Sequence, residues 1–121
     1  MNTPIAQVVA EHLAIWNAPA GEERSRSIAA LYSHEVIVAE PDTVYHGHDG
    51  VAEAIDALQA AVPGMRLELS GAIQTVQSLS TYAWNLRVAG GEPAASGRDV
   101  IDVQDRVITS VHVFLDPAPG E

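Results

Sequence analysis

Apolar positions along this chain change their period once, near residue 65. Before that point they recur at intervals of three and four; after it they alternate. Ile5, Val8, Val9, His12, Leu13 and Trp16 fall on one stripe of a first predicted helix, with Thr3 as its N-cap and Pro4 at its first position. Pro19 and Gly21 interrupt the pattern. A second helix is predicted from Glu22 to Tyr32, its acidic start suiting the helix dipole and Ile28, Leu31 and Tyr32 supplying its apolar side. Residues 36–39 are a short β-branched run ended by Glu40-Pro41-Asp42. Val44-Tyr45-His46 reads as another short strand and Gly47 to Gly50 as a turn. A third helix is predicted over 51–62, with Val51, Ile55, Leu58 and Val62 on one side and Pro63-Gly64 as its stop.

Beyond residue 65, Leu67, Leu69, Gly71, Ile73 and Thr75 alternate with polar neighbours, as do Tyr82, Trp84, Leu86 and Val88. Gly90 to Pro93 reads as a turn, and 97–104 and 107–115 as two further strands joined at Asp105-Arg106. Such alternation marks antiparallel strands with one face in a core. Helices first and a strand meander afterwards predict an α+β fold with the helices on one face of the sheet.

Two strands place chemistry. In 97–104, Asp99 shares its face with Ile101 and Val103, the more apolar side, so it is expected to point inward. A carboxylate there needs a partner, a hydrogen bond or a proton; the plainer alternative is a solvated strand end or an arginine pair. His12 points inward because it lies on the apolar stripe of the first helix; most such histidines are satisfied core residues. Glu40 follows a buried strand and precedes Pro41, a place open to an inward or an exposed carboxylate. The last strand is apolar on both faces, with Val107, Val111, Val113 and Leu115 on one and Ile108, His112 and Phe114 on the other. That pattern predicts either a subunit contact through the sheet or burial of both faces by the chain itself.

Composition narrows the chemistry. The 121 residues include no cysteine and no lysine, and 16 acidic residues face 6 arginines, a formal charge of −10. Thiolate metal sites, cysteine nucleophiles and lysine Schiff bases are excluded. Nucleic-acid partners and anionic membranes are not expected, since both need a basic surface. Hydrophobic residues make up 47%, enough for a core, in runs too short for a transmembrane span. Met-Asn-Thr-Pro has no basic or apolar leader pattern. One domain over 1–121, cytoplasmic, with a loose tail from Pro117 to Glu121, is the expectation. His46 and His48 would share a face on a strand, but no third ligand stands at a diagnostic spacing and Gly47 to Gly50 reads as the turn and N-cap of the third helix, so no metal is expected.

The order and spacing of several short pieces resemble the nuclear transport factor 2-like superfamily in its SnoaL-like, ketosteroid-isomerase-like branch. These are Trp16-Asn17, Ile28 to Tyr32, Val38-Ala39-Glu40-Pro41, Gly47 to Val51, Tyr82-Ala83-Trp84, Gly97-Arg98-Asp99-Val100, Asp105 to Ile108 and Val113 to Asp116. The resemblance spans about residues 5–116. It implies a cone, or cystatin-like α+β barrel: a curved antiparallel sheet wrapped around three helices and enclosing an apolar pocket, often in a homodimer packed through the sheet.

Ketosteroid isomerases use an aspartate base with a tyrosine and a protonated aspartate as oxyanion donors. By the resemblance, Glu40 falls at the base, Asp99 at the protonated acid and His12 at the tyrosine. SnoaL-like cyclases use a histidine and an aspartate for aldol-type closure. The Asp-Arg-Asp set of limonene-epoxide-hydrolase-like members is not favoured, because Arg98 and Asp99 point to opposite faces and Asp116 lies close to the tail. The expectation is a cofactor-independent isomerase or cyclase for a small hydrophobic carbonyl compound, with Glu40, Asp99 and His12 catalytic. Trp16, Tyr32, Leu58, Met65, Trp84, His112 and Phe114 would shape the pocket. The alternative is a ligand-binding or dimeric assembly module without chemistry.

Overall fold

A computed structural model describes residues 4–88 and 91–117. Three helices, α1 (Ile5–Asn17), α2 (Glu22–Leu31) and α3 (Gly47–Ala61), pack against six strands: β1 (Tyr32–Ala39), β2 (Val44–His46), β3 (Met65–Val76), β4 (Leu79–Val88), β5 (Pro93–Gln104) and β6 (Val107–Leu115). The sheet runs β2-β1-β6-β5-β4-β3 and does not close on itself. It is antiparallel except where β1 lies parallel to β6, so it is mixed rather than wholly antiparallel. No helix is long and apolar enough to cross a membrane.

Element boundaries differ from the sequence pattern where competing preferences meet. Thr3, Gly90 and residues 118–121 lie outside the described residues; the position preceding α1 is Pro4. The second helix ends at Leu31 because β-branched sequence from Val36 onward pulls Tyr32 into β1. Residues 47–50 are not a free turn. They form the first turn of α3, with Asp49 in the favourable N-terminal position for a carboxylate. The β5–β6 turn is tight: Asp105 and Arg106 have φ of 52° and 70°, the left-handed pair that a two-residue hairpin requires.

The core lies between the helices and the concave face. Ile55, Ile101 and Ile108 are wholly buried, each worth about 1.5–3 kcal/mol relative to exposure. Two irregularities bend the sheet. On β3 the pairing slips between Ser70 and Gln74 around Gly71, whose φ is 85°. On β6, Asp102 pairs with Ser110 and Val103 with Ile108, so Thr109 is an extra residue on its strand. That bulge lets Ile108 and Val111 both face inward, although they are three residues apart and strict alternation would put them on opposite faces. The two-sided apolar pattern of the last strand is therefore partly a change of parity.

The C-terminus of α1 is pinned to the sheet edge. The Asn17 side chain donates to the Leu67 carbonyl (2.9 Å) and accepts from the Leu67 N–H (2.7 Å), imitating a strand neighbour. Gln59 of α3 donates to the carbonyls of Trp16 and Ala18. Arg24, buried on α2, holds Asp56 at 2.6 Å. Together these bonds set where Trp16 stands over β3.

Candidate functional site

A cavity of about 270 Å³ lies between α1 and the concave face. Its inner wall is formed by His12, Trp16, Leu67, Trp84, Asp99 and Val111, all buried. Pro41, Ala95 and Leu115 are exposed and form the rim; Glu40 is half-buried beside them. A larger hollow, about 790 Å³, runs along the surface between α1 and α2. Its walls are mostly exposed helix side chains such as Glu11, Glu22 and Glu23, and its buried cation, Arg24, is already paired with Asp56. The smaller cavity is the one that joins apolar walls to converging acid–base groups.

Local geometry puts each group there. His12 and Trp16 are four residues apart on α1 and so share a face. Tyr82 and Trp84 alternate onto the concave side of β4. Tyr82 pairs directly with Asp99 across the strands, and Trp84 pairs with Gly97. Gly97 makes the Trp84 position workable. A Cβ there would collide with the Phe114 carbonyl oxygen and stand 2.5 Å from Trp84 Cζ2. The indole therefore lies across bare backbone and reaches diagonally to Asp99.

The polar groups form one connected network. Tyr82 Oη donates to Asp99 Oδ2 at 2.8 Å, and Trp84 Nε1 donates to Oδ1 at 3.0 Å. On the other side, Trp16 Nε1 donates to Tyr32 Oη at 3.2 Å, and Tyr32 Oη meets His12 Nδ1 at 2.5 Å. The Tyr32 hydroxyl accepts from Trp16, and among the described residues Nδ1 of His12 is the one acceptor within its reach, which assigns the hydroxyl proton to Nδ1. His12 then carries its hydrogen on Nε2. That atom faces Asp99 Oδ2 at 3.5 Å, beyond good hydrogen-bond length, and so remains able to serve a ligand oxygen.

Burial, with the charge of Asp99 adding to it, pushes the Glu40 carboxyl above its ordinary range. Burial also raises both phenols, Tyr32 and Tyr82, so both remain O–H donors at any working pH. Asp99 is surrounded by donors.

The cavity brings together Glu40, Asp99, His12, Trp16, Leu58 and Trp84. Four of the other expected residues stand elsewhere. Tyr32 lies behind His12 as its support rather than in the wall. Met65 packs, half-buried, against the core. His112 and Phe114 are on the outer face, with Phe114 57% exposed. From Val111 onward β6 alternates, so Val113 and Leu115 take the wall positions instead. Asp116 accepts from Ser96 at 2.7 Å on the surface, and Arg98 points outward to Thr81, away from Asp99. His48 Nε2 lies 2.7 Å from the Tyr32 carbonyl oxygen, and its ring lies against His34 at 5.0 Å. Tyr82 was not singled out by its sequence position; its alternation with Trp84 signalled the face, but only the β4–β5 register sets it opposite Asp99.

No protein-family model matches this chain, and no curated protein matches it. Solved structures do. A candidate isomerase of the SnoaL-like family from Agrobacterium tumefaciens superposes with a TM-score of 0.86 at 26% identity, covering 93% of this chain and 97% of its own. A candidate polyketide cyclase from Sinorhizobium meliloti gives 0.72 at 9% identity, over 88% and 93% of the two chains. A de novo designed protein with a curved β-sheet gives 0.71 at 18% identity, over 93% and 85%.

Proposed function

From its membership of the nuclear transport factor 2-like superfamily, we propose that this chain is a cofactor-independent acid–base enzyme. It would act on a small hydrophobic carbonyl compound by isomerisation or ring closure. The observation that carries the reading is Glu40: a half-buried carboxylate with raised proton affinity, at the rim of an apolar cavity whose floor holds His12. A base poised closer to neutrality is suited to taking a proton from carbon. The likeness to candidate SnoaL-like isomerases and cyclases supports the same class.

In the proposed step Glu40 removes a proton α to the carbonyl. The electron pair of that C–H bond moves into the enolate, and His12 Nε2–H stabilises the oxygen. The Glu40 proton then returns at another carbon, or the enolate carbon attacks a second carbonyl and closes a ring, the π pair of that carbonyl moving onto its oxygen and the resulting alkoxide taking the proton back from Glu40. Asp99, as a carboxylate held by Tyr82 and Trp84, serves two ends. It orients the floor of the site, and its charge raises the proton affinity of Glu40.

A second reading, a ligand-binding module without chemistry, is favoured by one observation: His12 Nδ1 and both Asp99 oxygens are already engaged by other side chains. Solvent-deuterium exchange into a panel of cyclic ketones, followed by NMR, separates the two. The enzyme reading expects exchange above buffer that falls about 10²–10⁴-fold in Glu40→Gln. Saturable binding with no exchange above buffer would favour the module, and a variant that exchanges as fast as the wild type would remove Glu40 as the base.

A further inference from the structure

We infer that the occupant of this cavity is a compact, uncharged, one- or two-ring ketone, and that the site rejects carboxylate-bearing and four-ring molecules. The carbonyl rests on the enzyme reading above; the limits on size and charge rest on the cavity alone.

Size comes first. A water molecule's share of liquid volume is about 30 Å³, so 270 Å³ is the room of about nine water-sized units, enough for a compact one- or two-ring skeleton. This is below the usual range for drug-sized ligands, about 300–1,000 Å³. Expansion inward is blocked. Trp16, Trp84, Leu67, Leu86 and Val111 are backed by core, and Trp84 lies on the Gly97 backbone with no room to retreat. A longer skeleton whose carbonyl reaches His12 must leave its remaining rings beyond Pro41 and Leu115, in water, where they contribute little.

Charge narrows the class further. Glu40 and Asp99 both line the cavity, and no arginine joins them among the described residues. The chain contains no lysine. A ligand carboxylate would meet two like charges across apolar walls, and His12, which alone in the described lining can carry a positive charge, already faces Asp99, which is a strong ground for rejection. The same arrangement suits a neutral ketone. Its single acceptor oxygen matches His12 Nε2, the one unengaged side-chain donor among the described lining residues, and the rest of the molecule meets indole and aliphatic surface.

The chain supplies its own reporter, because both of its tryptophans line this cavity. Quenching of intrinsic fluorescence is measured for three probes at neutral pH: β-tetralone, a tetralone bearing a carboxylate, and testosterone. The expected result is saturable quenching by β-tetralone. The carboxylate analogue should bind at least tenfold more weakly, a gap that narrows in Glu40→Gln, and testosterone should bind more weakly than β-tetralone. The inference is overturned if the carboxylate analogue or testosterone binds as tightly as β-tetralone, or if none of the three quenches. Because quenching needs no turnover, a ketone that binds without exchanging deuterium sinks the enzyme reading and leaves the size and charge limits standing.

Discussion

Replacing Tyr32 with phenylalanine tests the polar network at its hinge. The ring is kept, and with it the packing of a side chain that is 1% exposed; only the hydroxyl is removed. Two buried groups then lose their partner, His12 Nδ1 and Trp16 Nε1. An orphaned buried polar group costs about 1–3 kcal/mol, so the pair predicts a loss of about 3 kcal/mol. For a chain of this length the entropy of unfolding is about 0.25 kcal/mol per degree, so calorimetry should find Tm lowered by about 12 °C. The hydroxyl also dictates the imidazole tautomer. Nitrogen-15 NMR should show hydrogen on Nε2 of His12 in the wild type and a mixture in Tyr32→Phe. Burial keeps the phenol protonated, so its hydrogen stays available to Nδ1. A loss below about 0.5 kcal/mol, or a wild-type His12 with its hydrogen on Nδ1, would refute the assigned direction of the chain from Trp16 through Tyr32 to His12.

Four further outcomes follow from the same geometry. Asp99→Asn removes the charge that helps raise Glu40, so the Glu40 midpoint, read by carbon-13 NMR, should fall yet stay above the ordinary range because burial is the larger cause; an unchanged midpoint would rule that coupling out. Gly97→Ala drives a methyl into backbone and indole and should cost about 3 kcal/mol or more in urea unfolding, with weakened ketone binding; a variant of wild-type stability would contradict the close approach. Glu40's raised proton affinity makes its folded-state contribution full at pH below the unfolded value and lost as pH rises through the folded one. Glu40→Gln should therefore gain stability relative to wild type on going from acid to neutral pH, and a gap that shrinks over that range would reverse the sign. The outer face, with Phe114 57% exposed beside His112, is expected to meet a second copy of the chain. Sedimentation at micromolar concentration should show a dimer that Phe114→Glu dissociates, and a monomeric wild type would end that proposal.

Much of the site could be read along the chain because it depends on short-range periodicity. Helical spacing is enough to put His12 and Trp16 on one inward stripe, and alternation is enough to turn Asp99 toward Ile101 and away from Arg98. Asp99 and Trp84 could each be nominated in this way, but not their bond to each other. That bond depends on which residues of β4 lie opposite β5, a matter of register. Tyr82 is the clearest case: its role comes wholly from standing across from Asp99.

Periodicity also misled where the backbone departs from it. His112 and Phe114 were expected near the pocket, whereas Val111, Val113 and Leu115 hold the wall. The extra residue at Thr109 resets the parity of β6, and one inserted residue sends every later side chain to the opposite face. Tyr32 was expected as pocket wall and instead supports His12 from behind, because β1 begins at Tyr32 itself and pairs it with Ile108 in the interior. The sequence alone determined the order and type of the elements, the inward turn of Asp99 and the absence of cysteine and lysine chemistry, since these depend on local spacing and composition. Only the tertiary structure decided which donors meet Asp99, which nitrogen of His12 remains free, and how small the cavity is. Each of those depends on atoms brought together by strand register and sheet bending from positions far apart in the chain.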